Sequence, residues 1–321
     1  MMPTYNAQIA MIGFIHRLRV YFREMFPLPA RMLNAVLLFI SFSTMLTIVC
    51  GISAEFDWRL IFVGSFNAFV IVLILRLMDE LKDLDIDRRL FCERSVPSGK
   101  VQESDIKFSL IIAVVLFVLV NAIVQTAFWS ALGLLTYSFL MFRYFFMPSK
   151  LSGKLLVNLT THNPVVALLL LYFIHLHASW YSPKTETIFQ FQSIVLVGMY
   201  WGLFLSWEIS RKIRYSHEEN EYVTYSRIFG RTGATLISGL VQTFSFGAGL
   251  WLSYHFGLSP IYVGVLLIGF ITLVITYVRF LRLELPSSRQ LKLASERYAA
   301  IVMSAPLIDL LVKGIIENVS F

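Results

Sequence analysis

Charge is scarce in this chain: Asp, Glu, Lys and Arg make up 15% of its 321 residues, against 57% hydrophobic residues, and the mean hydropathy is +0.70. A soluble domain carries about 25% charged residues, so that class is excluded. Cysteine is nearly absent, with two residues, Cys50 and Cys92. They fall on opposite faces in the topology read below, so no disulfide is inferred. No internal repeat, low-complexity tract or soluble appendage is visible, which leaves residues 1–321 as a single integral membrane domain. The basic start, short apolar core and small-residue cleavage site of a signal peptide are also missing, and none is expected.

What is present is a series of long apolar runs. Crossing a bilayer takes about 20 such residues, and nine segments come close: Met32 to Ser53, Leu60 to Met78, Ile106 to Ala127, Trp129 to Phe146, Leu155 to His175, Phe191 to Ile209, Thr232 to Tyr254, Ile261 to Leu281 and Tyr298 to Ile316. The reading is an all-α, polytopic membrane protein. Lys and Arg collect before the first segment and after the second, fourth, sixth and eighth, which places the N-terminus in the cytoplasm. Residues 1–30, with Tyr21, Phe22, Met25 and Phe26 among arginines, are expected to lie along the interface as an amphipathic lead-in. The formal charge of +7 resides in the basic loops and favours an anionic leaflet. Nucleic acid is not implied. A bacterial inner membrane and a cellular endomembrane both fit.

The second segment carries no charge from Ile61 to Leu75 and then delivers Arg76, Asp79, Glu80, Asp83 and Asp87, followed by Arg94-Ser95-Val96-Pro97-Ser98-Gly99. Carboxylates at i, i+4 and i+8 drift slowly around a helix, and Glu80 lies near Asp83, so one face is expected to be strongly anionic. Crowded carboxylates repel and resist desolvation, which points to a hard divalent cation against them. A second polar group, Glu208, Arg211 and Lys212, closes the sixth segment on the same expected side. Glu208 and Lys212 are spaced i, i+4, so an ordinary surface ion pair explains them equally well. The two cytoplasmic loops, 79–105 and 210–231, therefore carry the chemistry, with charges suited to a Mg²⁺-diphosphate group. Glu218, Glu219 and Glu221 read as a solvated loop.

Asp79-Glu80-x-x-Asp83-x-x-x-Asp87, seven residues before Arg94-x-x-Pro97-Ser98-Gly99, resembles the first signature of the UbiA superfamily of intramembrane prenyltransferases. That signature reads Asn-Asp-x-x-Asp-x-x-x-Asp followed by Arg-Pro-x-Pro-Ser-Gly. The resemblance implies nine transmembrane helices around a central cavity and a second aspartate-rich motif after helix six. It also implies Mg²⁺ and an isoprenyl diphosphate as substrate, with transfer of the prenyl group to a lipophilic, commonly aromatic acceptor. Asp79, Glu80, Asp83, Asp87 and Glu208 would then bind metal. Arg76, Arg94, Arg211 and Lys212 would hold the diphosphate.

This sequence departs from the family pattern. Asp79 replaces Asn, Glu80 replaces Asp, and Ser95 replaces the first Pro. Lys212 stands where the second motif has its second acid, and a protonated lysine neutralises a phosphate oxygen but cannot ligate metal. That divergence keeps a UbiA-type terpene cyclase, needing no acceptor, as an alternative. His162, in Asn158-Leu-Thr-Thr-His162-Asn163-Pro164, reads either as a base for the final proton or as an interhelical hydrogen bond beside a proline kink. A catalytically dead lipid-binding scaffold is opposed by the intact first cluster, and a transporter or channel should show charges near the bilayer midplane or paired broken helices. Here the acids sit at one interface.

Overall fold

The computed structural model describes residues 2–52, 57–151, 154–181, 190–282 and 286–319, and among these residues it is all-helical. Thirteen helices run in order: α1 Met2–Glu24, α2 Leu28–Cys50, α3 Trp58–Lys82, α4 Leu84–Leu90, α5 Glu103–Val124, α6 Phe128–Phe142, α7 Pro148–Leu151, α8 Leu155–His162, α9 Pro164–Tyr181, α10 Phe191–Ser210, α11 Tyr225–Phe256, α12 Pro260–Arg282 and α13 Arg289–Val319. The chain divides into two compact units, Met1–Val36 with Ile61–Phe146, and Leu37–Leu60 with Met147–Phe321.

Each expected apolar segment corresponds to a helix, and among the described residues seven meet the length and apolarity of a crossing, with α8 and α9 counted together. The expectation of nine spans is thus matched in seven cases. In the fourth segment α6 stops at Phe142 after 15 residues, about 22 Å of helix against an apolar core of about 30 Å. Its expected continuation is interrupted by left-handed backbone at Tyr144, Phe145 and Phe146. In the ninth, α13 is 31 residues long, and the end of the expected segment, from residue 314 on, lies outside the residues whose side chains are described.

In the first unit α1 packs on α5, and α5 on α6. Within the lead-in Tyr21 is fully buried and Phe26 nearly so. Arg17 of α1 grips Asp105 of α5 through both carboxylate oxygens, at 2.6 and 2.8 Å, and Phe14 meets Phe108 edge-on. Asp105 has a second task, since it accepts from the Gln102 backbone N–H (3.0 Å) in the capping box that starts α5. The outer face of α5 leaves Phe108, Ile111, Val115, Leu119 and Ile123 exposed, the apolar stripe that lipid requires.

In the second unit α10 packs against α9, α11 and α13, and α12 against α11 and α13. Small residues permit close approach, as is usual for membrane helices. A Cβ on Gly202 of α10 would stand 3.3 Å from that of Ser245 on α11. Buried hydroxyls link four helices in a chain from Ser206 (α10) through Ser238 (α11) and Tyr277 (α12) to Ser295 (α13), at 2.8, 2.9 and 3.0 Å. Asp309 of α13 accepts the Ser259 N–H at 2.9 Å, supplying an acceptor where α12 has unpaired donors.

Candidate functional site

The acidic ladder does not share one helix face. Helix α3 ends at Lys82, Asp83 breaks the helical path with φ −99° and ψ 6°, and α4 continues from Leu84. The backbone bonds nevertheless run on, Asp83 N–H to the Asp79 carbonyl at 3.0 Å and Asp87 N–H to the Asp83 carbonyl at 2.8 Å. Glu80 and Asp87, seven residues apart and so two turns along, are turned inward and buried. Asp79 is exposed and Asp83 half-buried.

Each buried acid has its own arginine. Arg76, one turn before Glu80 on α3, pairs with Glu80 Oε1, while Arg94 donates to Asp87 Oδ2 at 2.9 Å. The Arg-x-x-Pro-Ser-Gly stretch explains how Arg94 reaches back. Ser98 N–H bonds the Arg94 carbonyl (2.9 Å), and Gly99 N–H the Val96 carbonyl (3.0 Å). This tight turn needs glycine at the left-handed φ of 78°. The guanidinium of Arg94 lies 3.8 Å from the centre of the Phe91 ring, which fixes its plane.

The inner end of this cluster is incompletely satisfied. Glu80 is 2% exposed, yet its Oε2 has no hydrogen-bond partner, and neither has Arg76 Nε. Tyr21 of α1 stands against the same pair, its hydroxyl also without a bond of normal geometry. Burial pushes the Tyr21 phenol above its ordinary value against the pull of Arg76, so it remains a neutral hydroxyl. Buried polar groups without partners are rare in folded proteins. Asp87, Arg94 and Asp79 lie within electrostatic reach of Glu80.

In the second unit Glu208 is saturated. Arg211 Nε donates to its Oε2 at 2.5 Å and Lys212 Nζ to its Oε1 at 3.0 Å. Arg211 lies over the Trp207 ring at 5.2 Å, and Trp207 Nε1 is fixed by Glu296 of α13 at 3.0 Å. Farther along, Glu218 is part of the scaffold rather than a solvated loop acid. It accepts from Ser287 Oγ (3.0 Å), Ser288 N–H (3.2 Å) and Tyr215 N–H (3.2 Å). Burial works to raise its carboxyl, but those hydrogen bonds outweigh it and hold the group below the usual carboxylate range. Glu219 is likewise engaged, by the hydroxyls of Thr224 and Ser226.

His162 ends α8, half-buried, with Thr161 Oγ1 at 2.9 Å from its Nδ1. The helix assignment is split before Pro164, with α8 ending at His162 and α9 starting at Pro164, and Asn163 between them accepts from Trp201 Nε1. The fully enclosed histidine is another one, His177, whose ring nitrogens lie 2.8 Å from Ser43 Oγ and 3.1 Å from Thr47 Oγ1. With both positions spent on hydroxyls it holds helices together.

Among the described residues no three His, Cys, Asp or Glu side chains gather as a ready-made metal cage. Mg²⁺ does not need one, because it keeps waters and is held through one or two carboxylates plus substrate phosphates. The buried, unpartnered Glu80 Oε2 is a donor of the right chemistry, so the residues of the first unit fit the ion.

No protein-family model and no curated protein sequence matches the chain. Solved structures do. An apo UbiA homologue from Aeropyrum pernix K1 superposes with a TM-score of 0.67, covering 88% of this chain and 98% of that one at 11% identity. The chain has a UbiA-like fold. A structure described as digeranylgeranylglyceryl phosphate synthase in membranes gives a TM-score of 0.58 over 91% of this chain and 98% of its own, at 14% identity.

Proposed function

We propose that the protein is a Mg²⁺-dependent prenyltransferase that ionises an isoprenyl diphosphate at the cytoplasmic face of the membrane and passes the prenyl group to a lipophilic, aromatic acceptor. The observation that carries this reading is Glu80, a carboxylate enclosed at the end of a membrane helix with one oxygen on Arg76 and the other bare. A fold shared with a UbiA homologue supports it.

Asp79, Glu80, Asp83 and Asp87 are the residues that would hold the ion, which when bound neutralises charge on the diphosphate oxygens. Arg76 and Arg94, oriented by Glu80 and Asp87, present guanidinium edges to the same oxygens. Lys212 and Arg211 add positive charge from the second motif. Glu208, anticipated as a metal ligand, is better supported as the anchor that aims those two cations. Breaking the allylic carbon–oxygen bond leaves a carbocation and a diphosphate, so positive charge fixed where the negative charge grows lowers the barrier. Aromatic faces, from residues that make up 15% of the chain, can stabilise the cation. His162, beside the break before Pro164, is assigned the proton that the acceptor ring loses on alkylation.

One observation favours a second reading. With both oxygens of Glu208 committed, the second motif lacks the acid pair that the family uses, as a changed reaction such as acceptor-free cyclisation would allow. Purified protein incubated with geranyl, farnesyl and geranylgeranyl diphosphates, first without and then with an aromatic acceptor, separates the cases by mass spectrometry. A prenylated acceptor is expected. A cyclic hydrocarbon or terpene alcohol formed without acceptor means cyclase, and loss of no diphosphate under either condition overturns both readings.

A further inference from the structure

The connection between α10 and α11 turns back on the start of α11 around a cavity of about 340 Å³, lined by Arg214, Ser216, Asn220, Ser226, Arg227 and Arg231, together with Glu219. Three guanidiniums therefore face one carboxylate. That carboxylate is spent locally: its oxygens accept from Thr224 Oγ1 at 2.7 and 2.8 Å and from Ser226 Oγ at 2.6 Å. Arg214 and Arg227 are steadied by neutral groups instead. Arg214 Nη1 donates to the Glu218 carbonyl (3.3 Å) and Arg227 Nη1 to the Asn220 carbonyl (2.9 Å), while Arg231 lies 5.5 Å from the Tyr215 ring centre. Among the described residues neither Arg214 nor Arg227 forms an ion pair with an acid. Pinned in place with their charge uncompensated, they are arranged for an anion.

The surroundings indicate where that anion comes from. Helix α11 is interrupted at Gly230, with φ 70° and ψ 162°, a backbone open to glycine and strained for other residues. The turn Tyr225–Phe229 is thereby set off from the membrane-spanning remainder. On and beside that turn Val223, Ile228 and Phe229 are 41%, 42% and 41% exposed. Apolar side chains beside arginines at the end of a membrane span suit the boundary between lipid headgroups and acyl chains. A free phosphate in water would have no use for them.

We infer that this elbow is a binding site for the phosphate of an anionic phospholipid. Arg214 and Arg227 hold the headgroup, with Ser216 and Asn220 at its rim. Ile228 and Phe229 rest on the acyl chains. The site is separate from the residues assigned above to the prenyl diphosphate, so its failure would leave the enzymatic reading standing.

Native mass spectrometry of the full-length protein in a neutral detergent tests it, with phosphatidylglycerol or phosphatidylcholine added at equal concentration. Wild type should retain phosphatidylglycerol over phosphatidylcholine by roughly 30-fold, the effect of two basic side chains at an anionic lipid surface. R214Q/R227Q should lose that preference while keeping Mg²⁺-dependent binding of farnesyl diphosphate. Should the double variant not fold, R227Q alone, at an exposed position, carries the test with a smaller loss. I228S/F229S should also lower lipid retention if the source is a bilayer lipid. Equal retention of the two lipids by wild type, or undiminished phosphatidylglycerol in the arginine variants, overturns the proposal. Displacement of the bound lipid by farnesyl diphosphate or by inorganic phosphate at comparable concentration would assign the pocket to a soluble anion and overturn it as well.

Discussion

Glu80 and Glu208 occupy equivalent places, each in the last turn of a membrane helix with a base one turn away, and the protein treats them oppositely. Glu80 gives one oxygen to Arg76 and keeps the other buried without a partner. Glu208 has an arginine on one oxygen and a lysine on the other. A carboxylate left short of partners inside a protein is an energetic cost that a ligand can remove. One satisfied on both sides gains nothing from a metal ion and serves best to aim its cations. Glu80 is thus left open to a ligand, and Glu208 is not.

The most severe way to break this contrast is Glu80→Gln. It removes the oxygen proposed to bind the ion and leaves Arg76 without its anion, and prenyl-diphosphate turnover should fall by about 10²-fold or more, as when one preorganised electrostatic contact is lost. Glu208→Gln should cost less, about tenfold, because Lys212 and Arg211 keep their charge and lose only their aim. Steady-state kinetics at saturating Mg²⁺ compares the two. Equal losses would erase the distinction between them.

A smaller effect sharpens the role of α1 in the first unit. Arg17→Ala strands the nearly buried Asp105 and should lower thermal stability by about 1–3 kcal/mol, while Arg289→Ala on the surface of α13 should change it by less than about 0.5 kcal/mol. Fluorescence-detected unfolding in detergent reads both.

The mildest effect belongs to the second unit. Glu218 is held below its ordinary carboxylate value of about 4.3, so its contribution is complete above that pH and is lost as pH falls through the lower, folded value. The melting temperature of wild type should therefore exceed that of Glu218→Gln at neutral pH and converge on it as the solution is acidified below about pH 4. A constant difference across that range would show that the Ser287 and Ser288 tether does not depend on ionisation.

The apolar runs made the helices legible, because length and the absence of charge are local properties that lipid enforces. The acid cluster was legible for a similar reason: spacing puts Glu80 near Arg76, and the Pro-Ser-Gly turn brings Arg94 back. Which carboxylate turns inward was not, since Asp79 and Glu80 are adjacent on the chain and their burial is decided by Tyr21 on another helix. His162 stood out for its polar neighbours, Asn158 and Asn163. His177 lay inside an apolar run, and its partners Ser43 and Thr47 are more than a hundred residues away. Glu218 read as a loop acid because Ser287 and Ser288, which bind it, belong to the connection between α12 and α13. The break at Asp83 carries no glycine or proline to announce it.

Binding of a labelled isoprenyl diphosphate at graded Mg²⁺ tests the central claim most directly, with wild type, Glu80→Gln and Glu208→Gln measured side by side. Wild type and Glu208→Gln should bind more tightly as Mg²⁺ is added, and Glu80→Gln should bind weakly with no response to the ion. A Glu80→Gln protein that still answers to Mg²⁺ as wild type does would contradict the account.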